Sequence, residues 1–138
     1  MRIMSIDPGS ARLGIAISDP LRTVAQPLEF VPAEPEAEVF PRLSRLVSEH
    51  EVEKIVVGMP RNMDGSYGGA AETVRAFVER LRTELKVPVI TWDERLTSVQ
   101  AHRMLQDAGV KSKQRRGRVD GAAAAILLQS YLDSQPAV

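Results

Sequence analysis

The fold is decided by the N-terminal stretch MRIMSIDPGSARLGIAISD, residues 1–19. The run from Arg2 to Ile6 has the composition of a β-strand, and Pro8-Gly9-Ser10 is turn chemistry because proline fixes φ and glycine tolerates positive φ. Apolar residues then alternate with small ones from Leu13 to Ser18, which predicts a second strand beside the first. Asp7 stands at the mouth of this hairpin. Burying a carboxylate there is costly unless a cation or hydrogen bonds compensate it, so the hairpin predicts a partner for Asp7.

The rest of the chain alternates strands with helices. In chain order, the sequence predicts strands at 2–7, 12–18 and 22–31, a helix at 36–50, a strand at 54–58, a helix at 70–86, a strand at 87–92, a helix from Thr97 to Gly109 and a helix at 117–133. Pro41 fits poorly inside the first helix, so a start near residue 40 is an alternative. The order predicts one α/β domain over residues 1–138, with a mixed five-stranded sheet flanked by helices.

The composition excludes several classes of protein. Cysteine is absent, which excludes disulfides and cysteine-ligated zinc. No apolar run approaches the roughly 20 residues needed to cross a bilayer, and no signal segment opens the chain. We therefore expect a soluble, cytoplasmic protein without a membrane partner.

The charges are balanced overall but unevenly distributed. The chain has 18 acidic and 18 basic residues, which gives no global attraction to polyanions. Residues 28–53 hold seven acids and two bases, whereas residues 111–118 (KSKQRRGR) hold five bases and no acid. This asymmetry predicts one locally basic surface rather than a basic protein.

Three acidic positions follow predicted strands or open a predicted helix. They are Asp7, the pair Asp93-Glu94, and Asp120, which is expected in the first turn of the last helix. Sites in alternating α/β sheets form at the carboxyl ends of parallel strands, so these acids could converge. Each also has a structural interpretation, as a turn residue, a solvated strand exit or an acid favoured by the helix dipole. If they converge, a divalent cation would relieve their repulsion, and all-oxygen ligation suits Mg²⁺ or Mn²⁺.

The segment after Asp120 consists of small residues. Gly121 and the four alanines from Ala122 to Ala125 would let the last helix lie close to the sheet, bringing its first turn near the end of the first strand. The alternative is that alanine is simply a good helix former.

Four motifs resemble those of the YqgF/RuvX family, which has a ribonuclease H-like fold. They are IDPGSARLGIAISD, VGMPRNMDGSYG, DERLTS and RVDGAAAAILLQSYL, in the family's order and spread over essentially the whole chain. The resemblance implies a small cytoplasmic nuclease, either one that matures the 5′ end of pre-16S ribosomal RNA or a Holliday junction resolvase. Two departures are minor: Arg12 stands where lysine is frequent, and Met59-Pro60-Arg61 replaces Leu-Pro-Leu.

By these motifs the resemblance implies that Asp7, Glu94 and Asp120 are the catalytic, metal-binding acids, with Asp93 as the competing residue in its motif. It also implies two-metal phosphodiester hydrolysis, in which ions about 3.5–4 Å apart activate a water and stabilise the leaving oxygen. His50 and His102 lie on predicted helices far in sequence from the acids, so we expect neither to be a base.

Basic and glycine-rich segments predict contacts with nucleic acid. The basic run before Asp120 favours backbone-phosphate contacts, although a charge run is also typical of a solvated loop. The loop from Met59 to Gly69 precedes a helix and either clamps substrate or merely connects. The residues expected to contact nucleic acid are Arg12, Arg61, Asn62, Tyr67, Arg95, Lys111, Lys113, Arg115, Arg116 and Arg118. Aromatic residues are scarce, which favours duplex, junction or structured RNA over extended single strands.

Two other functions compete with a nuclease. An Asp-x-Gly-Ser turn also cradles phosphate in ATP-binding proteins of the actin and sugar-kinase type, but the chain is too short for two such lobes. A nucleic-acid-binding module without turnover would use the same groove, yet it would gain nothing from three acids facing phosphate. The expected partner is precursor rRNA, branched DNA or both, and the protein could be a monomer or a homodimer.

Overall fold

The computed structural model describes residues 1–9, 12–59, 69–93 and 112–135, with side chains described except at positions 29, 69, 70, 93 and 112–122. The strands are β1 (Arg2–Pro8), β2 (Arg12–Ser18), β3 (Ala25–Pro32), β4 (Val52–Met59) and β5 (Val89–Asp93). The helices in these ranges are α1 (Glu36–Glu49), α2 (Gly69–Glu84) and α3 (Ser112–Ser134). The predicted helix from Thr97 to Gly109 lies outside the described residues. None of the described helices is long and apolar enough to span a membrane.

The five strands form one mixed sheet in the order β3-β2-β1-β4-β5. β2 is antiparallel to β1 and to β3, whereas β4 is parallel to β1 and β5 is parallel to β4. The predicted antiparallel start, followed by parallel strands separated by a helix, is confirmed. This order leaves β1 in the centre, so Asp7 lies in the middle strand of the sheet.

Each face of the sheet has its own apolar layer. On one face, strand residues such as Ile6 and Val57 pack against α1 and α2, which contribute Val39, Phe40, Leu43, Leu46, Val74, Val78 and Leu81. On the other face, Ile3, Ala16 and Val56 pack against α3, which contributes Ala124, Leu128, Tyr131 and Leu132. Because side chains alternate along a strand, Ile6 identifies the α1/α2 face and Ser5 the α3 face.

The turn between β2 and β3 delays the third strand. It was predicted to begin at residue 22 but begins at Ala25. The Asp19 carboxylate accepts hydrogen bonds from the Val24 and Thr23 N–H groups (3.0 and 2.7 Å), and Arg22 has φ of 60°. The bonds from Val24 and then Thr23 lower the pKa of Asp19 to about 2. A side-chain-held turn of this kind has no periodic signature in sequence.

The first helix begins at Glu36, so the alternative start near residue 40 is wrong. Pro35 is the N-cap residue, and the Glu38 N–H donates to the Pro35 carbonyl. Pro41 lies inside the helix, where its missing N–H removes one backbone hydrogen bond. The helix tolerates this loss because its apolar side is buried, including Phe40 and Leu43. Two strand limits also differ from prediction: β4 begins two residues earlier, and β5 begins at Val89 rather than Val87.

The last helix begins at Ser112, five residues before the predicted start at residue 117. Asp120 is therefore the ninth helical residue, and the expectation that it lies in the first turn is wrong. The residues before it include good helix formers such as Gln114 and Arg115, which continue the helix despite about 1 kcal/mol of cost for glycine at Gly117. The basic run from Lys113 to Arg118 consequently has a helical backbone, not that of a loop.

Candidate metal and nucleic-acid site

Asp7 lies near the end of the central strand, on the α3 face of the sheet. It is the sixth of seven residues in β1 and pairs with Gly14 of β2. Its side chain is partly buried, and alternation gives it the same face as Ile3 and Ser5. Asp7 is therefore at the end of the sheet where the carboxyl ends of the parallel strands β1, β4 and β5 lie.

Glycines occupy the positions beside Asp7 on both neighbouring strands. Gly14 is its partner on β2. On β4, Ile6 pairs with Val57, so the next position along both strands sets Asp7 level with Gly58. Neighbouring strands are about 4.8 Å apart, and a side chain at either position would stand directly beside the carboxylate. The two glycines therefore place no side chain beside the Asp7 carboxylate on either neighbouring strand.

The row of Asp7 continues to β5, which carries the second predicted acidic motif. Gly58 pairs with Trp92, and Met59 pairs with Asp93. Met59 belongs to the apolar layer against α1 and α2. The register position of Asp93 is therefore on the α1/α2 face of the sheet. The register position of Trp92 is on the α3 face, which is the face of Asp7.

A hydrogen bond between β1 and α3 determines where Asp120 lies along the strand. The buried Ser5 hydroxyl donates to the carbonyl of Ala124 (2.7 Å). Further along the helix, Gln129 and Tyr131 contact Ala25 and Lys54, which are level with the Ile3 end of β1, so the helix runs opposite to β1. Asp120 is one turn before Ala124, about 6 Å along the axis, and Asp7 is two residues beyond Ser5, about 6.6 Å along the strand. From these similar offsets we infer that the backbone of Asp120 lies near the level of Asp7.

Small residues and three polar contacts fix α3 on the sheet. Ala123 and Ala124 are buried, in agreement with the prediction that alanines allow close packing of this helix. Hydrogen bonds also join the C-terminal half of α3 to strands on both sides of β1. Ala25 N–H donates to Gln129 Oε1 (2.9 Å), Trp92 Nε1 to Ser130 Oγ (3.2 Å), and Lys54 Nζ to the Tyr131 hydroxyl (2.9 Å). The helix that carries Asp120 is therefore held to strands β3, β4 and β5 as well as to β1.

Arg12 lies at the start of β2, on the same face as Asp7. It is two residues before Gly14, and its guanidinium lies 5.2 Å from the centre of the Phe30 ring. Phe30 was not singled out from the sequence. The signal that could have identified Phe30 is the spacing of Arg12 and Gly14, which share one face of β2, beside a predicted neighbouring strand that contains Phe30.

The remaining predicted residues divide into two groups. For Lys113, Arg115, Arg116, Arg118 and Asp120 the structure describes the helical backbone alone. Arg61, Asn62, Tyr67, Glu94, Arg95 and Lys111 lie outside the described residues. Within the described side chains, no group of three metal-ligating residues stands together. Asp7 is one of these described side chains, whereas Glu94 and Asp120 are not, so the predicted trio stays a prediction.

A groove of about 370 Å³ lies on the opposite face, between α1 and α2. Its lining includes Pro8, Gly9, Phe40, Phe77 and Arg80, and none of the predicted site residues contributes to it. Gly9 is required by the hairpin itself, because a Cβ there would lie 2.6 Å from the Arg12 carbonyl oxygen. The groove and the candidate site therefore share the hairpin but occupy different faces.

Comparison with known proteins identifies relatives over the whole chain. The model of the RuvX family, described as Holliday junction resolvase, matches residues 1–134. A protein of Desulforamulus reducens named "Putative pre-16S rRNA nuclease" is 45% identical over 134 residues, covering 97% of this chain and 98% of that protein. One of the same name from Halothermothrix orenii is 47% identical over 135 residues, covering 98% and 96%.

Solved structures share the fold at low sequence identity. Thermus thermophilus RuvC in complex with a Holliday junction substrate aligns with a TM-score of 0.56 at 17% identity, covering 97% of each chain. The fowlpox virus Holliday junction resolvase aligns with a TM-score of 0.57 at 13% identity, covering 98% of this chain and all of that one. These likenesses confirm the predicted ribonuclease H-like fold.

Proposed function

The chain belongs to the RuvX family, whose members include nucleases, and from this premise we propose that it hydrolyses phosphodiester bonds of structured nucleic acid at a divalent-metal site built on Asp7. The favoured substrate is precursor 16S rRNA, because relatives at 45–47% identity are named "Putative pre-16S rRNA nuclease", and the family resemblance of the motifs favours its 5′ end. Such a substrate would also locate the activity in the cytoplasm. Cleavage of Holliday junctions is the second candidate, since the matching family model is described by it.

The observation that carries the proposal is the Ser5–Ala124 hydrogen bond, because it supports a position of Asp120 near the level of Asp7. Two carboxylates held near each other repel, which favours a bound cation or a proton between them. The glycines at positions 14 and 58 place no side chain beside Asp7 that would compete with such a ligand. Both features support a site for a cation rather than a structural turn.

The register of β5 favours Glu94 as the third acid. Asp93 pairs with Met59, which belongs to the opposite face of the sheet. If the chain stayed extended past Asp93, alternation would return residue 94 to the face of Asp7. β4 lies between β1 and β5, and residue 94 would be two positions beyond Trp92, which is level with Gly58 and Asp7. The two acids would therefore be about 12 Å apart at the backbone. The register of β5 thus favours Glu94 over Asp93 as the acid of this motif.

Asp7, Glu94 and Asp120 would hold Mg²⁺ or Mn²⁺, because hard oxygen ligands are the donors these ions prefer. When bound, the ions supply an activated water and stabilisation of the leaving oxygen. The carboxylates act as ligands and must be ionised to do so. No described histidine lies near Asp7 as a general base: His50 follows α1, on the far side of the sheet.

Basic side chains would position the substrate without reading its sequence. With Asp120 near the level of Asp7, the eight helical residues before it would extend about 12 Å past that level. That segment, residues 112–119, includes Lys113, Arg115, Arg116 and Arg118. Lys111, Arg12 and Arg95 would add phosphate contacts nearby, and Arg61, Asn62 and Tyr67 would contact the strand from the loop before α2.

One assay tests the reaction and discriminates the substrates. The protein and its Asp7→Asn variant are incubated with precursor 16S rRNA and with a branched DNA junction, each with Mg²⁺, with Mn²⁺ and with EDTA. We expect metal-dependent cleavage by the parent and at least 100-fold less by the variant. The ratio of the two cleavage rates identifies the preferred substrate. Paired cuts would further require a homodimer, which the sedimentation of the protein reports, whereas end processing needs only a monomer.

Two outcomes would overturn this proposal. Equal cleavage by the parent and by Asp7→Asn would refute the site. Tight binding without cleavage, under both metals and on both substrates, would instead indicate a nucleic-acid-binding module without turnover.

A further inference from the structure

The edge strand β3 exposes an aromatic side chain on the same face as Asp7. Phe30 is 45% exposed, although most large apolar side chains of the described chain are buried. Phe30 pairs with Gly14, and Gly14 pairs with Asp7, so the three residues share one row across the sheet. Phe30 lies two strands from Asp7, about 10 Å away at the backbone.

Arg12 gives this aromatic side chain a positively charged neighbour. Its guanidinium lies 5.2 Å from the centre of the Phe30 ring, within the range of a cation–π contact. Arg12 pairs with Pro32, two residues beyond Phe30, so the two side chains belong to the same end and face of β2 and β3. A flat apolar surface and a cation thus lie together. Phe30 is in the row of the candidate catalytic acid, and Arg12 is two residues further along β2.

We propose that Arg12 and Phe30 form a ledge that stacks one unpaired nucleobase of the substrate, beside the phosphate held at Asp7. This inference rests on the proposed function and adds a substrate requirement to it. The exposed part of the Phe30 ring stacks on the base, and Arg12 contributes its charge to the adjoining phosphate. Proteins that bind single-stranded nucleic acid combine aromatic side chains and positive charge in this way.

The ledge restricts the class of substrate. Bases inside a duplex are stacked on their neighbours and cannot lie on a protein ring without leaving the helix. A base on this ledge must therefore come from a single-stranded extension, bulge or junction. β3 is the outer strand of the described sheet, so the side of Phe30 away from β2 is not covered by another described strand. One ring provides for one base, which agrees with the scarcity of aromatic residues in the chain.

The binding of a labelled RNA by Phe30 variants tests the ledge directly. The probe is a fluorescein-labelled RNA hairpin with a single-stranded 5′ extension, bound by protein carrying Asp7→Asn so that it stays intact. In this background, we expect Phe30→Ala to weaken binding about 5- to 10-fold, at the lower end of base–aromatic stacking, and Phe30→Trp to retain binding. Leu21→Ala, at another exposed apolar residue beside β3, is the matched control and should leave the affinity unchanged.

Abasic substitution along the extension then separates stacking from a structural effect. At one nucleotide position, loss of the base should remove the difference between Phe30→Ala and its parent. The inference is overturned if Phe30→Ala binds as tightly as the parent, or if its defect persists with every abasic probe. These results are independent of the nuclease test, because a protein that binds without cleaving still reports on Phe30. If the protein carrying Asp7→Asn alone does not bind the hairpin, the ledge is refuted, whereas the proposed function is decided by the cleavage assay.

Discussion

At the scale of single residues, the neighbours of Asp7 matter as much as the acid itself. Aspartate at a strand end is common, but here glycine stands at the same level on both flanking strands and adds no side chain beside the carboxylate. The sequence predicted Asp7 because the hairpin motif is local. It did not reveal the role of Gly58, because only the register between β1 and β4 brings that residue beside Asp7. Local motifs therefore predict the acid, and long-range pairing supplies its surroundings.

A second residue-scale feature gives a prediction about pH. Asp19 accepts hydrogen bonds that lower the pKa of its carboxyl to about 2, from an ordinary value of 3.8. The ionised carboxyl therefore stabilises the folded state fully above about pH 4, and this contribution is lost as the pH falls toward 2. We expect Asp19→Asn to lower the melting temperature at pH 5 and to differ progressively less from the parent toward pH 2.

Thermal unfolding monitored by circular dichroism across this pH range measures the difference. Glu84→Gln, which removes one exposed acid at the end of α2, controls for the change in net charge. A melting-temperature difference for Asp19→Asn that stays constant from pH 5 to pH 2 would contradict the assignment.

At the scale of elements, burial leaves apolar patterns in the sequence that predicted the type of most elements. These patterns are alternation in β2, helical spacing in α1 and α2, and short continuous apolar runs in β4 and β5. In α2, for example, Val74, Val78 and Leu81 recur at helical spacing and are buried. The errors occur where other forces act. The Asp19 carboxylate delays β3, and α3 extends through a basic, glycine-containing segment with no apolar period. The offset of Asp120 from Asp7 depends on a bond between residues 119 positions apart, which no local pattern contains.

The Ser5–Ala124 hydrogen bond therefore gives an element-scale prediction. Ser5→Ala removes one buried hydrogen bond, worth about 1 kcal/mol in the free energy of unfolding. Because this bond sets the position of α3 on β1, we expect cleavage to fall at least 10-fold, although the protein stays folded. Urea unfolding measures stability, and initial rates measure cleavage.

Ile55→Val serves as the stability-matched control, since deleting one buried methylene costs about 0.5–1.5 kcal/mol. It lies on the opposite face of the sheet and should cleave at nearly the parental rate. If Ser5→Ala retains activity as fully as Ile55→Val does, the bond does not position the site.

At the scale of the whole molecule, zero net charge conceals an opposition of charges. The acid-rich segment 28–53 contains α1, which packs on one face of the sheet, whereas the basic segment belongs to α3 on the other. A polyanion would be attracted to the α3 face, which also carries Asp7, and repelled from the α1 face. The composition alone predicted two charged segments, but only the structure assigns them to helices that pack on opposite faces of the sheet.

This opposition predicts how salt affects binding. Substituting both Arg115 and Arg116 with glutamine should remove up to two phosphate contacts. The slope of log affinity against log salt on a single-stranded probe should then fall in magnitude by about 1.4. Arg42→Gln with Arg45→Gln makes the same change in charge on the exposed side of α1 and should leave the slope unchanged. Equal effects of the two double variants would show that overall charge, not the α3 face, drives binding.

The binding of Mn²⁺, measured by isothermal titration calorimetry, tests the central claim most directly. It compares the parent with Asp7→Asn, Glu94→Gln, Asp120→Asn and Asp93→Asn. We predict that each of the first three variants weakens Mn²⁺ binding at least 10-fold, because each loses a charged oxygen ligand. Asp93→Asn should bind Mn²⁺ like the parent, since its register position is on the opposite face. Parental Mn²⁺ affinity in Asp7→Asn would contradict the account.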